Sequence, residues 1–250
     1  MAQKGTVRVT WLGHATFNIT TAGGKTIVVD PWLEGNPALP PGMAEMDRLD
    51  AILVTHGHFD HISGVIPLAK KHSPAIVCNF ETSVWLESKG VGNLVGMNKG
   101  GTVTVAGVKA TMVSADHSCG ILDDGKIVYG GEACGYVIEM ENGWKLYHAG
   151  DTNVFGDMAL IRELYAPDAA LLPIGGHFTM GPREAALACR MLGVREVVPM
   201  HFGTFPILNG TPEELREEVR KLSGDGQSPS GARVQAPSVE VVALKPGESW

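Results

Sequence analysis

The feature that most constrains this chain is a dense run of metal-binding side chains, THGHFDH, directly after the apolar run AILV at 51–54. The run contains His56, His58, Asp60 and His61. Imidazole nitrogens and carboxylates are good ligands for Zn²⁺, and they also suit Mn²⁺ and Fe. In an extended segment His56 and His58 point to the same side, so both can bind one ion, and a following turn can direct Asp60 and His61 to a second point. The sequence therefore predicts a metal site at the end of a buried strand.

Composition and charge restrict the class of protein. The chain has 250 residues, of which 44% are hydrophobic, and this length suits one large α/β domain with a sizeable core. Its formal net charge of −7 gives no general attraction to nucleic acid or anionic lipid. We expect no membrane span, because no run of ~18 apolar residues is present, and the N-terminal sequence lacks the apolar centre of a signal peptide. Four scattered cysteines without a CxxC pair indicate reduced thiols and a cytoplasmic protein: Cys78, Cys119, Cys134 and Cys189.

The sequence predicts short β-strands in its first part and alternating helices and strands in its second part. Predicted strands cover 7–12, 15–20, 26–29, 51–54, 75–78, 102–105, 108–114, 134–140 and 144–148, and later 169–174, 195–200 and 238–244. Predicted helices cover 61–71, 81–90, 156–165, 182–192 and 211–222, with loops at 31–48 and 223–237. Thr211 and Glu214 have the spacing of a capping box at the start of the last helix.

A faint internal echo relates two segments of the chain. AILVTHGHFD at 51–60 parallels ALLPIGGHFT at 170–179, and each follows an apolar run that ends in an aspartate, Asp30 or Asp151. One interpretation is coincidence between two segments of strand followed by loop. The other is a pair of similar β-rich halves packed sheet to sheet, with helices outside and strand ends that converge on one site.

The motif HxHxDH after a β-strand resembles the metallo-β-lactamase superfamily of metal-dependent hydrolases. The resemblance extends from about residue 7 to 244, with Asp30 in IVVDPW, His117 in SADHS, Asp151 in HAGDT and His201 in VVPMHFGTFP. The segments WLGHATF, HAGDT, LPIGGHFTMGP and PMHFGTFP are more narrowly similar to hydrolases related to L-ascorbate-6-phosphate lactonase. The resemblance implies an α/β fold, an αββα sandwich of two mixed sheets with helices on the outer faces, in a single domain over 1–250.

The resemblance also implies a site with two divalent metal ions. One ion would be bound by His56, His58 and His117, the other by Asp60, His61 and His201, and Asp151 would bridge the two. Zn²⁺ is the expected metal, with Mn, Fe or Ni as alternatives. A hydroxide held between the metals would attack a small ester, lactone or phosphodiester. Asp60 would then belong to both the metal site and the catalytic machinery.

Residues outside this ligand set have less specific interpretations, and His14 and His177 have two each. His14 either acts on the substrate or leaving group, or makes a structural hydrogen bond at its turn. His177 follows two glycines and either contacts substrate, as a general acid for example, or is structural. His148 is expected to face away from the metals or to support a ligand, and Asp30 to orient a ligand histidine. We interpret Cys119 as a small packed residue.

Two other functional classes compete with small-molecule hydrolysis, an iron redox enzyme and a metal-binding or nucleic-acid-processing module. The first is a mononuclear or dinuclear iron redox enzyme of the same superfamily, of the sulfur dioxygenase or oxygen reductase type. Di-iron members have Glu where His58 stands, which disfavours them. RNA-cleaving members carry inserted domains that this acidic chain lacks, and β-lactamases require secretion. We therefore expect a small-molecule substrate and no nucleic-acid or membrane partner, with a homo-oligomer compatible with the sequence. A phosphorylated substrate would require a basic pocket, for which the loops offer only Lys25, Lys99 and Arg183.

Overall fold

Two mixed β-sheets form the centre of the protein, in a computed structural model that describes residues 4–223 and 239–250. The first sheet contains β1 (Arg8–Trp11), β2 (Phe17–Thr20), β3 (Thr26–Val29), β4 (Ala51–Leu53), β5 (Ala75–Asn79) and β6 (Leu94–Met97). These strands lie in sequence order, antiparallel from β1 to β3 and parallel from β3 to β6.

The second sheet repeats this arrangement. Its strands are β7 (Thr102–Val105), β8 (Val108–Ser114), β11 (Cys134–Glu139), β12 (Lys145–His148), β13 (Ala169–Pro173), β14 (Glu196–Met200) and β15 (Glu240–Val241). A separate hairpin of β9 (Gly120–Asp123) and β10 (Lys126–Tyr129) interrupts them. The order is β15-β14-β13-β12-β11-β8-β7. The pairs from β7 to β12 are antiparallel, and those from β12 to β15 are parallel. This repetition favours the interpretation of the echo as two similar halves.

Helices cover the outer face of each sheet. They are α1 (Phe59–Ile62), α2 (Val65–His72), α3 (Phe80–Ser88), α4 (Met158–Tyr165), α5 (Pro182–Leu192) and α6 (Pro212–Ser223). A core of alternating strand residues, such as Phe17 and Ile27 from the first sheet and Met112 and Tyr136 from the second, fills the space between the sheets. Separate apolar clusters join α2 and α3 to the first sheet, and α4, α5 and α6 to the second. The predicted αββα sandwich is confirmed.

The structure differs from the predicted elements in a few places. The helix predicted at 61–71 is two helices, α1 and α2, because Gly64 passes so close to Pro31 that its amide donates to the Pro31 carbonyl at 2.7 Å. Strands β6, β9 and β10 were not predicted, and β15 is shorter than 238–244. The predicted loop 223–237 lies outside the described residues except for Ser223, which ends α6. No helix within the described ranges is long and apolar enough to cross a membrane.

Candidate metal centre

The predicted metal ligands meet at one edge of the sandwich, where strand ends of both sheets converge. The run 56–61 follows β4 in the first sheet, and its last residues begin α1. In the second sheet Asp151 follows β12 and His201 follows β14, while His117 lies in the connection from β8 to β9. Because parallel strands present their carboxyl ends at the same edge, residues up to 145 positions apart in sequence come together there.

Three histidines form the first cluster. His56 Nε2 lies 3.0 Å from His58 Nδ1, and His117 Nε2 lies 3.3 Å from the same atom. The other ring nitrogens of His56 and His58 have hydroxyl partners, since His56 Nδ1 is 3.0 Å from Thr55 Oγ1 and His58 Nε2 is 3.2 Å from Ser118 Oγ. Three nitrogens therefore face one point, as a single cation requires.

The second cluster combines a carboxylate with two histidines. Asp60 Oδ2 lies 3.7 Å from His61 Nε2 and 3.8 Å from His201 Nε2. The side chains of His61 and His201 are almost completely buried, and that of Asp60 is 13% exposed. The ligand atoms of these residues and a ring nitrogen of His14 all lie within 4.8 Å of one another, so His14 lies next to the second cluster.

Asp151 lies between the two clusters. Its Oδ2 atom is 3.9 Å from His56 Nε2 and 3.7 Å from His117 Nε2. On the other side it is 3.3 Å from His61 Nε2 and 3.0 Å from His201 Nε2. One carboxylate oxygen thus faces nitrogens of both clusters, which is the position that a bridging ligand needs.

Several buried atoms in the centre have no hydrogen-bond partner among the described residues. These atoms are His61 Nε2, both ring nitrogens of His201, and Asp151 Oδ1. The short distances from His61 and His201 to Asp151 are not aligned as hydrogen bonds, although the atoms are close. Buried polar atoms normally have hydrogen-bond partners. Nitrogens and oxygens that converge without such partners are therefore suited to binding cations. The donor set of imidazoles and carboxylates suits Zn²⁺, Mn²⁺ or Fe. The roles of the individual residues as ligands remain predictions.

The electrostatics of the centre follow from burial and from the opposed charges. Burial lowers the pKa of His56 well below its usual value, and it also lowers the pKa of His58 and His117. Burial acts in the same direction on His201, but the Asp151 carboxylate outweighs it and raises the pKa of His201 to about 9. Burial raises the pKa of Asp151, but His201 and His61 outweigh it and hold that pKa well below the usual range.

Asp30 supports the second cluster from behind. Its Oδ2 accepts hydrogen bonds from His61 Nδ1 at 2.8 Å and from Thr55 Oγ1 at 2.6 Å, and its Oδ1 accepts from the Thr55 amide at 2.7 Å. These bonds fix the His61 ring with Nε2 toward the metal centre. The structure thus places Asp30 in contact with His61, a predicted metal ligand, as the sequence predicted.

His14 lies against the second cluster and is fully buried. Its Nε2 donates to Asp60 Oδ2 at 2.8 Å, and its Nδ1 accepts from Thr204 Oγ1 at 3.0 Å. Its ring also packs on that of His201 with centroids 3.9 Å apart. Burial lowers the pKa of His14 to about 4, so the ring is neutral and can donate from Nε2 only. His14 therefore orients Asp60, and a direct role toward substrate remains a prediction.

His148 and His177 occupy different environments. His148 is buried, with Nε2 donating to the Ala15 carbonyl at 3.2 Å and Nδ1 accepting from the Gly150 amide at 3.1 Å. It supports the turn that carries Asp151, as the sequence predicted. His177 is exposed and has φ of 56°. Its ring lies edge-on to Phe178 with centroids 4.4 Å apart, and among the described residues the cleft is lined by Phe178 and not by His177. Its predicted role as a general acid gains no support from this position.

A cleft of about 630 Å³ opens onto the metal centre. Besides residues of the centre, apolar side chains line it: Phe59, Leu122, Ile127, Phe178 and Phe205. The sequence did not predict this set of apolar residues. The echo contained a signal, because both of its halves have Gly-His-Phe, and both phenylalanines reach the cleft.

The three basic residues that could bind a phosphorylated substrate lie away from the cleft. Lys99 pairs with Glu132, and Lys25 pairs with Asp50 at 3.2 Å at the opposite end of β3 from the metal centre. Arg183 is exposed on the first turn of α5. None of the three lines the cleft, as far as the described residues show.

Comparisons with known proteins agree with this architecture. A family model described as a beta-lactamase superfamily domain matches residues 25–202. The metallo-beta-lactamase fold protein YhfI from Bacillus subtilis has the same fold, with a TM-score of 0.70, 16% identity and coverage of 98% of each chain. The fold and the strand-end cluster of histidines and aspartates thus define a protein of the β-lactamase superfamily.

Two relatives define the family further. A UPF0173 metal-dependent hydrolase of Solibacter usitatus is 52% identical over 242 residues, which cover 97% of this chain and 98% of that relative. Igni18, a metallo hydrolase from the archaeon Ignicoccus hospitalis, has a TM-score of 0.81 and 32% identity, with coverage of 98% of this chain and 97% of that one. The chain belongs to the UPF0173 metal-dependent hydrolase family.

Proposed function

We propose that this protein hydrolyses a small ester, lactone or phosphodiester with the help of two divalent metal ions. The observation that supports this most directly is the position of Asp151 Oδ2 within 4 Å of a nitrogen of His56, His117, His61 and His201. An arrangement of two ligand clusters around one shared carboxylate is suited to a pair of cations.

The chain's own residues would hold and orient the metals. His56, His58 and His117 would bind one ion and Asp60, His61 and His201 the other, with Asp151 between them. Bound divalent cations supply Lewis acidity, which lowers the pKa of water to about 7 and stabilises negative charge that develops on the substrate. Asp30 fixes His61, and His14 fixes Asp60, so both ligands are held in place before metal binds.

Iron redox chemistry is the second candidate. His58 disfavours the di-iron type, because those members have Glu at that position, but the ligand types also suit iron.

The narrower similarity to L-ascorbate-6-phosphate lactonase rests on short motifs alone, and the relatives described above give it no support. Lactone hydrolysis remains within the proposal on chemical grounds, since a lactone is a cyclic ester.

Metal analysis combined with a substrate panel tests the proposal. The protein would be stripped with a chelator, reloaded with Zn²⁺, Mn²⁺, Fe²⁺ or Ni²⁺, and assayed on lactones, aryl esters and phosphodiesters. We expect about two ions per chain and hydrolysis that is lost on stripping and recovered on reloading. Asp151→Asn is expected to lose hydrolysis, whereas the exposed Asp157→Asn is the matched control.

Two results would contradict the proposal. Metal binding that saturates at one ion would exclude the dinuclear mechanism. Oxygen consumption by the iron-loaded protein, without hydrolysis of any panel member, would favour the redox alternative.

A further inference from the structure

The β9–β10 hairpin turns an apolar face outward beside the metal centre. Its inner face is buried through Ile121, which is 1% exposed. On its outer face Leu122 and Ile127 are directly paired across the strands and are 60% and 72% exposed. Both line the cleft. An exposed cross-strand pair of aliphatic residues adds little to the core, and apolar patches of this kind mark binding sites.

Three phenylalanines also line the cleft. Phe59 and Phe178 are 55% and 57% exposed, and Phe205 lies in the loop after β14. Phe205 stacks on Trp32 with ring centroids 5.8 Å apart, and Phe59 lies edge-on to the same tryptophan at 5.6 Å. Trp32 is buried, so two of the three rings have a fixed support. The cleft thus has a preformed apolar lining next to the metal centre.

In the part of the chain that the structure describes, the charged side chains that line the cleft belong to the metal centre. The lining contains carboxylates and histidines of the centre but no lysine or arginine among the described residues. A phosphate or carboxylate on the distal part of a substrate would find no cationic side chain there. An uncharged apolar group, by contrast, would bury both its own surface and that of the apolar lining, which contributes about 25 cal/mol per Å².

From these observations we infer that the substrate is a neutral carboxylic ester or lactone with an alkyl or aryl group that contacts the apolar side chains of the hairpin and the phenylalanines. The inference rests on the proposed hydrolase function. Hydrolysis of such an ester adds water across the acyl C–O bond. The water oxygen bonds to the carbonyl carbon, the bond to the leaving alcohol oxygen breaks, that oxygen gains a proton, and a carboxylic acid forms. The cleft volume of about 630 Å³ is in the range of small-molecule sites.

A chain-length series tests this inference. The metal-loaded enzyme would be assayed on 4-nitrophenyl acetate, butyrate and hexanoate and on bis(4-nitrophenyl) phosphate. We expect kcat/KM to increase with acyl length, by up to about fourfold per CH₂, and the hexanoate to exceed the phosphodiester. Ile127→Ser and Leu122→Ser are expected to flatten this dependence by raising KM for the hexanoate, with the acetate little changed.

Two matched controls have exposed apolar side chains outside the cleft lining. Tyr129 lies on the same hairpin and is 72% exposed, and Leu164 lies on α4 and is 67% exposed. The control variants are Tyr129→Ser and Leu164→Ser. Both should keep the chain-length dependence. Binding of the neutral fluorescent probe N-phenyl-1-naphthylamine gives a readout independent of turnover, and it should weaken in Ile127→Ser but not in Tyr129→Ser.

The outcomes separate this inference from the proposed function. Hydrolysis of the phosphodiester in preference to every ester, or activity independent of acyl length, would overturn the inference and leave the hydrolase function intact. Absence of all hydrolysis would overturn the proposed function, and probe binding would then decide whether the apolar site exists. A dimer that Ile127→Ser dissociates, with an unchanged chain-length dependence, would assign the hairpin to contact between copies and overturn the inference.

Discussion

His61 Nδ1 donates a hydrogen bond to Asp30 Oδ2 at 2.8 Å, and both side chains are completely buried. The bond joins the strand-end aspartate of β3 to the metal-binding run after β4. Since Nδ1 carries the proton that is donated, the other ring nitrogen, Nε2, is directed at Asp60 and Asp151. One carboxylate therefore sets both the orientation and the tautomer of a predicted metal ligand.

Asp30→Asn is expected to weaken metal binding while the fold persists. An asparagine oxygen can still accept from the Thr55 amide, but its NH₂ group would then face His61 Nδ1 and favour a proton on Nε2 instead. Loss of such an outer partner typically costs ~10–100-fold in metal affinity. Competition with a fluorescent chelator would measure it, with the exposed Asp47→Asn as control. Unchanged affinity in Asp30→Asn would show that the bond does not tune the metal site.

Asp60→Ala and His201→Ala are expected to lose hydrolysis far more than folding. Both residues belong to the second cluster at the sheet edge, so each change should remove about one of the two metal ions. Elemental analysis, kcat and thermal unfolding would be measured on the same preparations. A variant with near wild-type kcat and full metal content would contradict the ligand assignment.

Metal affinity should increase with pH up to about pH 9. Burial lowers the pKa of His201, but Asp151 raises it to about 9, so the metal-free centre holds a proton there at neutral pH. A metal binds the deprotonated ring, which means that the proton must leave and that affinity falls as pH decreases below this pKa, by up to about tenfold per unit. Titration calorimetry in buffers of different ionisation enthalpy would detect the proton release. Affinity independent of pH between 6 and 8 would contradict this.

His148→Ala is expected to lower stability and metal retention. It removes the acceptor of the Gly150 amide and the donor to the Ala15 carbonyl inside the core, and each unsatisfied buried group costs about 1–3 kcal/mol. Denaturant unfolding and metal analysis would measure both effects. Wild-type stability in this variant would show that the turn before Asp151 is held without His148.

His177→Ala should leave stability and metal content unchanged. The exposed position of His177 beside Phe178 also predicts a loss of kcat/KM well below the ~10²-fold that a general acid contributes. A loss of that size or more, with full metal content, would restore the catalytic role predicted from the sequence.

Local patterns in the sequence determined most elements and the types of ligand. The boundaries of β3, β7, β8 and α5 agree with the predicted 26–29, 102–105, 108–114 and 182–192, because alternating or helical apolar spacing ends there at glycine or proline turns. The capping box is present, with the Thr211 amide donating to Glu214 at 2.9 Å. The motif at 56–61 and the family resemblance together named the residues that the structure brings to one edge.

Only the tertiary structure decided what faces the cleft. Strand β4 and the hairpin β9–β10 are far apart in sequence, yet Phe59 and Ile127 line one space because the two sheets bring their connections to the same edge. Likewise, sequence spacing placed His177 near the site, but its backbone conformation leaves that ring in solvent and Phe178 in the cleft. Side-chain direction in such loops depends on long-range packing, which no local period encodes. The sequence thus determined which imidazole and carboxylate side chains form the candidate metal centre, whereas the apolar lining of the adjoining cleft depended on the fold.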